Sequence, residues 1–143
     1  GCYSWIFSRC GARVEAVEPK WEYYLNLRGI KNVFAIPYAL GKEYKITYLE
    51  HWRNTSGAYR VADKGIPIIM DKGSELFKSF SKINFIKIDV EGSELSIIED
   101  MKDLILKHKP KILIETGKIN EILSYLRGYK VTDQFRNDYL IAG

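Results

Sequence analysis

An α/β fold with a parallel sheet is what this sequence predicts, and three observations carry the prediction. Within the first 37 residues the pattern runs helix, strand, helix, strand, an order that needs crossover connections between parallel strands. Farther along, the apolar run Asn84-Phe85-Ile86-Lys87-Ile88 ends in Asp89-Val90-Glu91-Gly92-Ser93-Glu94 and passes straight into a helical pattern, so a buried strand opens into an acidic loop. Near the end, residues 128–132 and 139–142 can pair as a hairpin around Phe135-Arg136-Asn137-Asp138.

Each element has a local cause. Tyr3, Ile6, Phe7 and Cys10 recur at helical spacing over residues 2–10, with Gly11 as a stop. Residues 13–17 alternate as a strand that Pro19 ends, and residues 20–28 form a short helix with Trp21, Tyr24, Leu25 and Leu27 on its apolar side and Gly29 as C-cap. A second strand follows over 32–37. Strand composition at 44–49, 59–61 and 67–70, interrupted by loop composition at 53–57, marks residues 41–72 as a β-rich insertion over one edge of the sheet. Regular order resumes with a helix over 73–80, a buried strand over 83–89 and a helix over 93–107. The apolar face of the last is Leu95, Ile98, Met101, Leu104 and Ile105, and Pro110 stops it. A strand over 111–115 and a helix over 119–126 precede the hairpin.

Bulk properties restrict the function classes. A chain of 143 residues, 46% hydrophobic and 28% charged, fits one domain with a sizeable core. No apolar run is long enough to span a bilayer, and no segment resembles a secretory signal. Net charge is +4. The basic stretch Lys107-His108-Lys109-Pro110-Lys111 is read as a helix end complementing the macrodipole, with His108 as a cap, rather than as a nucleic-acid footprint. Cys2 and Cys10 match no metal or redox spacing, so packing within the first helix is their default role and a reducing, cytoplasmic compartment is implied. Asn54-Thr55-Ser56 matches a glycosylation sequon, a pattern short enough to arise by chance. The chain opens with Gly1 rather than Met, as a cut, processed or tagged start would.

Two acidic strand ends are the candidates for chemistry. In open α/β sheets ligands bind beyond the carboxyl ends of the strands. Glu18 occupies such a place in Val14-Glu15-Ala16-Val17-Glu18-Pro19 and can accept hydrogen bonds from a ribose diol; the alternative is a solvated residue near a helix start. Asp89 occupies the other. Lys87 shares its face of the strand, since side chains alternate with period two. An ammonium in an apolar run needs a partner, which Asp89 or Glu115 can supply, either as a catalytic pair or as a structural ion pair. Glu94 suits a first helical turn, whereas Glu91 is close enough to face a substrate. His51 and Trp52 lie in the irregular middle, a fair place for a substrate loop. No metal site is expected: no histidine lies near Asp89, and calcium-loop spacing is absent.

Together these residues resemble the FkbM-type family of S-adenosylmethionine-dependent methyltransferases. Ile86-Lys87-Ile88-Asp89-Val90-Glu91-Gly92-Ser93-Glu94 is similar to the family's Ile-Lys-Ile-Asp-Val-Glu-Gly-x-Glu block. Val17-Glu18-Pro19 looks like its ribose-binding turn, and Tyr38-Ala39-Leu40-Gly41 like its Ala-Leu-Gly turn. Lys109-Pro110-Lys111-Ile112-Leu113-Ile114-Glu115 and Asn137-Asp138-Tyr139-Leu140-Ile141 also fit, so the likeness covers nearly the whole chain. It implies a Rossmann-like methyltransferase sheet, mostly parallel with an antiparallel C-terminal hairpin. It also implies that Gly1 is the last glycine of the family's glycine-rich cofactor turn, the first strand and the earlier glycines being missing.

The reaction so implied is O-methylation, with S-adenosylmethionine as cofactor and a hydroxyl of a small-molecule or glycan acceptor (sugar, glycolipid or polyketide-type product) receiving the methyl. Glu18, with Gly1, Ala39 and Leu40, would hold the cofactor; Asp89 would stand near the methyl with Lys87 tuning it; His51, Trp52 and Glu91 would meet the acceptor. Two alternatives stay open from sequence alone: a nicotinamide-dependent oxidoreductase on a related sheet, and a non-catalytic module that kept the fold and lost the cofactor site.

Overall fold

Three hydrogen-bonded ladders and five helices organise the described residues, which in this computed structural model are 1–51 and 58–143. Trp52 and the Asn54-Thr55-Ser56 sequon lie outside them. Helix α1 (Cys2–Arg9) leads into strand β1 (Val14–Val17), helix α2 (Trp21–Arg28) and strand β2 (Val33–Ile36). Strands β3 (Ala39–Gly41), β4 (Lys45–His51), β5 (Tyr59–Ala62) and β6 (Ile66–Lys72) follow, and the short helix α3 (Gly73–Leu76) closes the middle. The rest is β7 (Phe85–Ile88), α4 (Glu94–His108), β8 (Lys111–Glu115), α5 (Ile119–Tyr125), β9 (Lys130–Phe135) and β10 (Asp138–Ala142).

Strands β1 and β2 pair in parallel, as the helix–strand alternation requires. A second ladder runs β7-β8-β10-β9, parallel between β7 and β8 and antiparallel beyond, so the closing hairpin forms as expected. The middle strands make a ladder of their own, in the order β3-β6-β4-β5, rather than lying over one edge of a larger sheet. The expectation of one mostly parallel sheet is therefore corrected. Among the described residues four strand pairs are antiparallel and three parallel. At the β5–β6 turn Gly65 has φ +131°, and a Cβ there would overlap the backbone carbonyl of Leu49, so only glycine fits.

The main core lies between α4 and the β7–β8–β10 ladder. Ile98, Ile112, Ile114, Ile122 and Ile141 are fully buried there, each stabilising the fold by roughly 1.5–3 kcal/mol through area removed from water. The α4 sequence dictates this. Ile97, Ile98, Met101 and Ile105 recur on one face, and the left-handed Lys109 (φ 48°) followed by Pro110 ends the helix. Val17 and Ile36 pack against the same core and bring the β1–β2 pair to it. Ala39, Leu49, Ile68 and Met70 form a separate cluster within the middle ladder. That ladder is tied to α4 by an ion pair between Lys42 and Glu99.

The first two helices bury less than their spacing suggests. Cys2 and Cys10 are exposed, not packed, and Tyr3, Trp5 and Ile6 also face outward. In α2 only Leu27 is buried, while Trp21 and Leu25 are exposed. Helical spacing defines a face but not whether a neighbour covers it.

His108 differs from its sequence reading too. It is 3% exposed, and its buried Nε2 has no hydrogen-bond partner among the described residues. Desolvation, then the charges of Lys107 and Lys82, push its pKa below the ordinary value. It is a neutral packed ring, not a cationic cap. Because the folded-state pKa is depressed, its contribution is present above the unfolded value of about 6.5 and is lost as pH falls toward the folded value. Urea midpoints measured from pH 7.5 down to pH 5 should fall, and the fall should be shallower in His108→Gln; equal slopes would show that other groups set the acid sensitivity.

Candidate active site

The parallel register of β7 and β8 sets Ile88 opposite Ile114, so Asp89 and Glu115 leave the ladder side by side at its carboxyl edge. Asp89 accepts a hydrogen bond from Lys87 Nζ at 3.1 Å, with the lysine side chain 13% exposed and the aspartate 49%. The lysine ammonium also lies 5.1 Å from the Tyr3 ring centroid, a second favourable environment for its charge. The pair anticipated from strand alternation thus exists, and Asp89 rather than Glu115 is the hydrogen-bonded partner. Because the carboxylate is half in water, the pair contributes little to stability.

After Asp89 the chain turns sharply. Glu91 adopts φ 47° and Gly92 φ 107°, and left-handed backbone is costly for a residue with a side chain. Glu94, in the first turn of α4, accepts a hydrogen bond from the Gly92 amide at 2.7 Å and pins the loop. This is the capping role its position implied. The result is a cleft of about 110 Å³ lined by Asp89, Glu91, Gly92, Glu94, Glu115, Thr116 and Asn137. The negative charge of Asp89 is the main reason the Glu115 carboxyl is raised above its usual range, followed by partial desolvation and Asp138. A carboxyl so placed holds a proton more readily than an isolated one, and the cleft favours ligands that bring hydrogen-bond donors to its carboxylates.

Neither Thr116 nor Asn137 is a site residue in the sequence analysis. The Thr116 amide donates to the Asn137 carbonyl at 2.9 Å, which brings the hairpin loop to the cleft. Glu115 stands at a strand end like Asp89 and was legible by the same reasoning. Asn137 was not, since only the pairing of β8 with β10 brings it there.

The second acidic strand end lies beyond β1. The Glu18 amide donates to the Ile36 carbonyl at 3.0 Å, and its Oε1 accepts from the Lys20 amide at 2.8 Å. Burial raises the Glu18 carboxyl above its usual range; the Lys20 amide and the Lys20 ammonium pull the other way. Gly1 lines a different cleft, of about 310 Å³, with Cys2, Trp5, Tyr23, Asn26, Leu27 and Ile30. Ala39 is buried in the middle ladder's core, and Leu40 is half-buried against the main core. His51 ends β4 with its ring edge-on to Tyr59 at 5.1 Å, and it does not line the Asp89 cleft.

The fold is mixed α/β, with carboxylates presented at the ends of parallel strands, as in α/β enzymes that bind nucleotide-like ligands. The Methyltransferase FkbM domain model matches residues 2–131, and the chain belongs to that family. A solved relative is the methyltransferase FkbM from Methylobacillus flagellatus KT, 20% identical, superposing with a TM-score of 0.56 over 91% of this chain and 36% of that one. The chain therefore spans about a third of that protein's length. No curated protein sequence matches it. Family membership does not favour the oxidoreductase reading. Among the described residues no helix is long and apolar enough to cross a membrane.

Proposed function

We propose that this domain binds S-adenosylmethionine and transfers its methyl group to a hydroxyl oxygen of a small-molecule or glycan acceptor. The observation that carries the reading is the Lys87–Asp89 pair at the mouth of an acidic cleft beyond β7 and β8. The residues present fit the cofactor in one testable respect. Glu18 is half-buried and has one oxygen occupied by the Lys20 amide, leaving the other for a ribose hydroxyl. When bound, S-adenosylmethionine supplies an electrophilic methyl on a sulfonium centre.

Asp89 accepts the proton of the acceptor hydroxyl, or orients that hydroxyl, while the hydrogen bond from Lys87 holds the carboxylate in place. Glu91 faces the acceptor from a strained backbone position. With the Ala39 methyl inside the core, the contribution of Ala39 and Leu40 to an adenine site comes from their backbone and the Leu40 edge. Gly1, having no side chain, lets the backbone approach the cofactor closely. His51 and Trp52 contribute to acceptor choice from the β-rich middle.

Glu18→Ala in the full-length protein should weaken S-adenosylhomocysteine binding by about 1–3 kcal/mol, the cost of leaving ribose hydroxyls unpaired. Titration calorimetry reads this directly, and unchanged affinity would remove Glu18 from the cofactor site. Since ionised Glu18 is the better acceptor and its pKa is raised, affinity should decline on acidification from a higher pH than an ordinary carboxylate would give.

A further inference from the structure

Among the described residues the β-rich middle meets the Glu18 turn where Tyr59 contacts Lys20 and Tyr23. Lys20 Nζ donates to the Tyr59 hydroxyl at 2.9 Å, and the same ammonium lies 4.1 Å from the Tyr59 ring centroid and 4.4 Å from that of Tyr23. Tyr59 begins β5, whereas Lys20 and Tyr23 belong to the start of α2, so 39 residues of chain separate the hydrogen-bonded partners. Tyr23 packs edge-on to Tyr59 at 6.4 Å, and His51 does so from another side at 5.1 Å. Two rings therefore face the lysine, and a third, that of His51, packs on Tyr59.

Lys20 is also the residue that shapes the Glu18 turn. Its amide donates to Glu18 Oε1, and its carbonyl accepts from the Tyr23 and Tyr24 amides that open α2. Its ammonium is one of the charges that favour the ionised form of Glu18. Backbone, helix start and side chain of one residue thus meet between Glu18 and Tyr59.

The geometry points to Tyr59 and Lys20 as positioning residues for the cofactor: a latch through which the β-rich segment holds the Glu18 turn in its binding conformation. The latch rests on the reading of Glu18 as the ribose ligand. It changes the division of labour that composition implies, since the β-rich segment then serves cofactor affinity as well as acceptor choice. Tyr59 supplies a hydroxyl acceptor and a ring face together, which phenylalanine or serine cannot both do.

The test is a double-mutant cycle on S-adenosylhomocysteine affinity in the full-length protein. Tyr59→Phe and Lys20→Met should each weaken binding about 5- to 10-fold, as expected for loss of one charge-assisted hydrogen bond near the surface. The double variant should be no weaker than the poorer single one, because both remove the same contact. Lys20→Arg, which can still donate to Tyr59 and stack on the rings, should recover affinity to within about 2-fold. A merely structural role would not give this recovery together with non-additivity in ligand affinity. Wild-type affinity in Tyr59→Phe and Lys20→Met, with binding weakened in Glu18→Ala, overturns the latch and leaves the function standing. If the unaltered protein does not bind S-adenosylhomocysteine, the functional reading fails instead. Hydrogen exchange at the Lys20 amide then decides the latch: faster exchange in Tyr59→Phe supports it, and an unchanged rate overturns it.

Discussion

Asp89→Asn should lower methyl-transfer turnover by about 10²- to 10⁴-fold, the range general-base assistance supplies, while leaving the melting temperature within a few degrees of the parent. Two structural facts separate the effects. Asp89 is half exposed at the cleft mouth, where removing a charge changes stability by about 0.5 kcal/mol or less. Its partner Lys87 keeps the Tyr3 ring beside it when the carboxylate becomes an amide, so no buried charge is abandoned outright. The asparagine preserves shape and hydrogen bonding but cannot take a proton. Turnover per folded molecule and thermal melts on the same preparation check the expectation. A large drop in melting temperature with normal turnover would show a structural ion pair, and Asp89 would lose its catalytic assignment.

The largest stability effect is expected from Ile98→Ala. Ile98 is 0% exposed, on the α4 face that covers the ladder carrying the cleft. Truncation loses transfer free energy and leaves a cavity, about 2–5 kcal/mol together, against a total of about 5–15 kcal/mol for a domain of this kind. The urea midpoint should fall accordingly with an unchanged slope. Because Ile98 does not line the cleft, S-adenosylhomocysteine affinity of the molecules still folded should match the parent. A loss under about 1 kcal/mol would mean that the neighbouring side chains close the gap.

Asp89 and Ile98 lie nine positions apart, and the placements of both were legible in the sequence for different reasons. Ile98 belongs to a 3.6-residue periodicity that specifies a buried helical face whatever lies beneath it. Asp89 is a carboxylate terminating an apolar run, and the strand-end rule puts it at the ligand edge. Strand β8 and the closing hairpin were likewise readable, from an apolar block bounded by Pro110 and from turn residues between two strand-like runs.

What escaped the sequence is what depends on a neighbour. Tyr3, Ile6, Trp21 and Leu25 form helical faces, yet these stay exposed, since periodicity carries no information about a covering partner. His108 sits in a run of cations but turns into the core, because one position on α4 separates the solvent face from the buried one. Three of the four middle strands were recognisable one by one, whereas Ala39–Gly41 reads as a turn; their assembly into a separate ladder depends on pairing register, which composition does not encode.

Local sequence, through periodicity, strand-end carboxylates and turn residues, determined the element types, the Lys87–Asp89 face and the family. Tertiary structure alone decided that Asn137 joins the Asp89 cleft and that Tyr59 reaches Lys20. Contacts between residues so far apart in the chain are set by how separately folded pieces pack, and no local pattern of side chains specifies them.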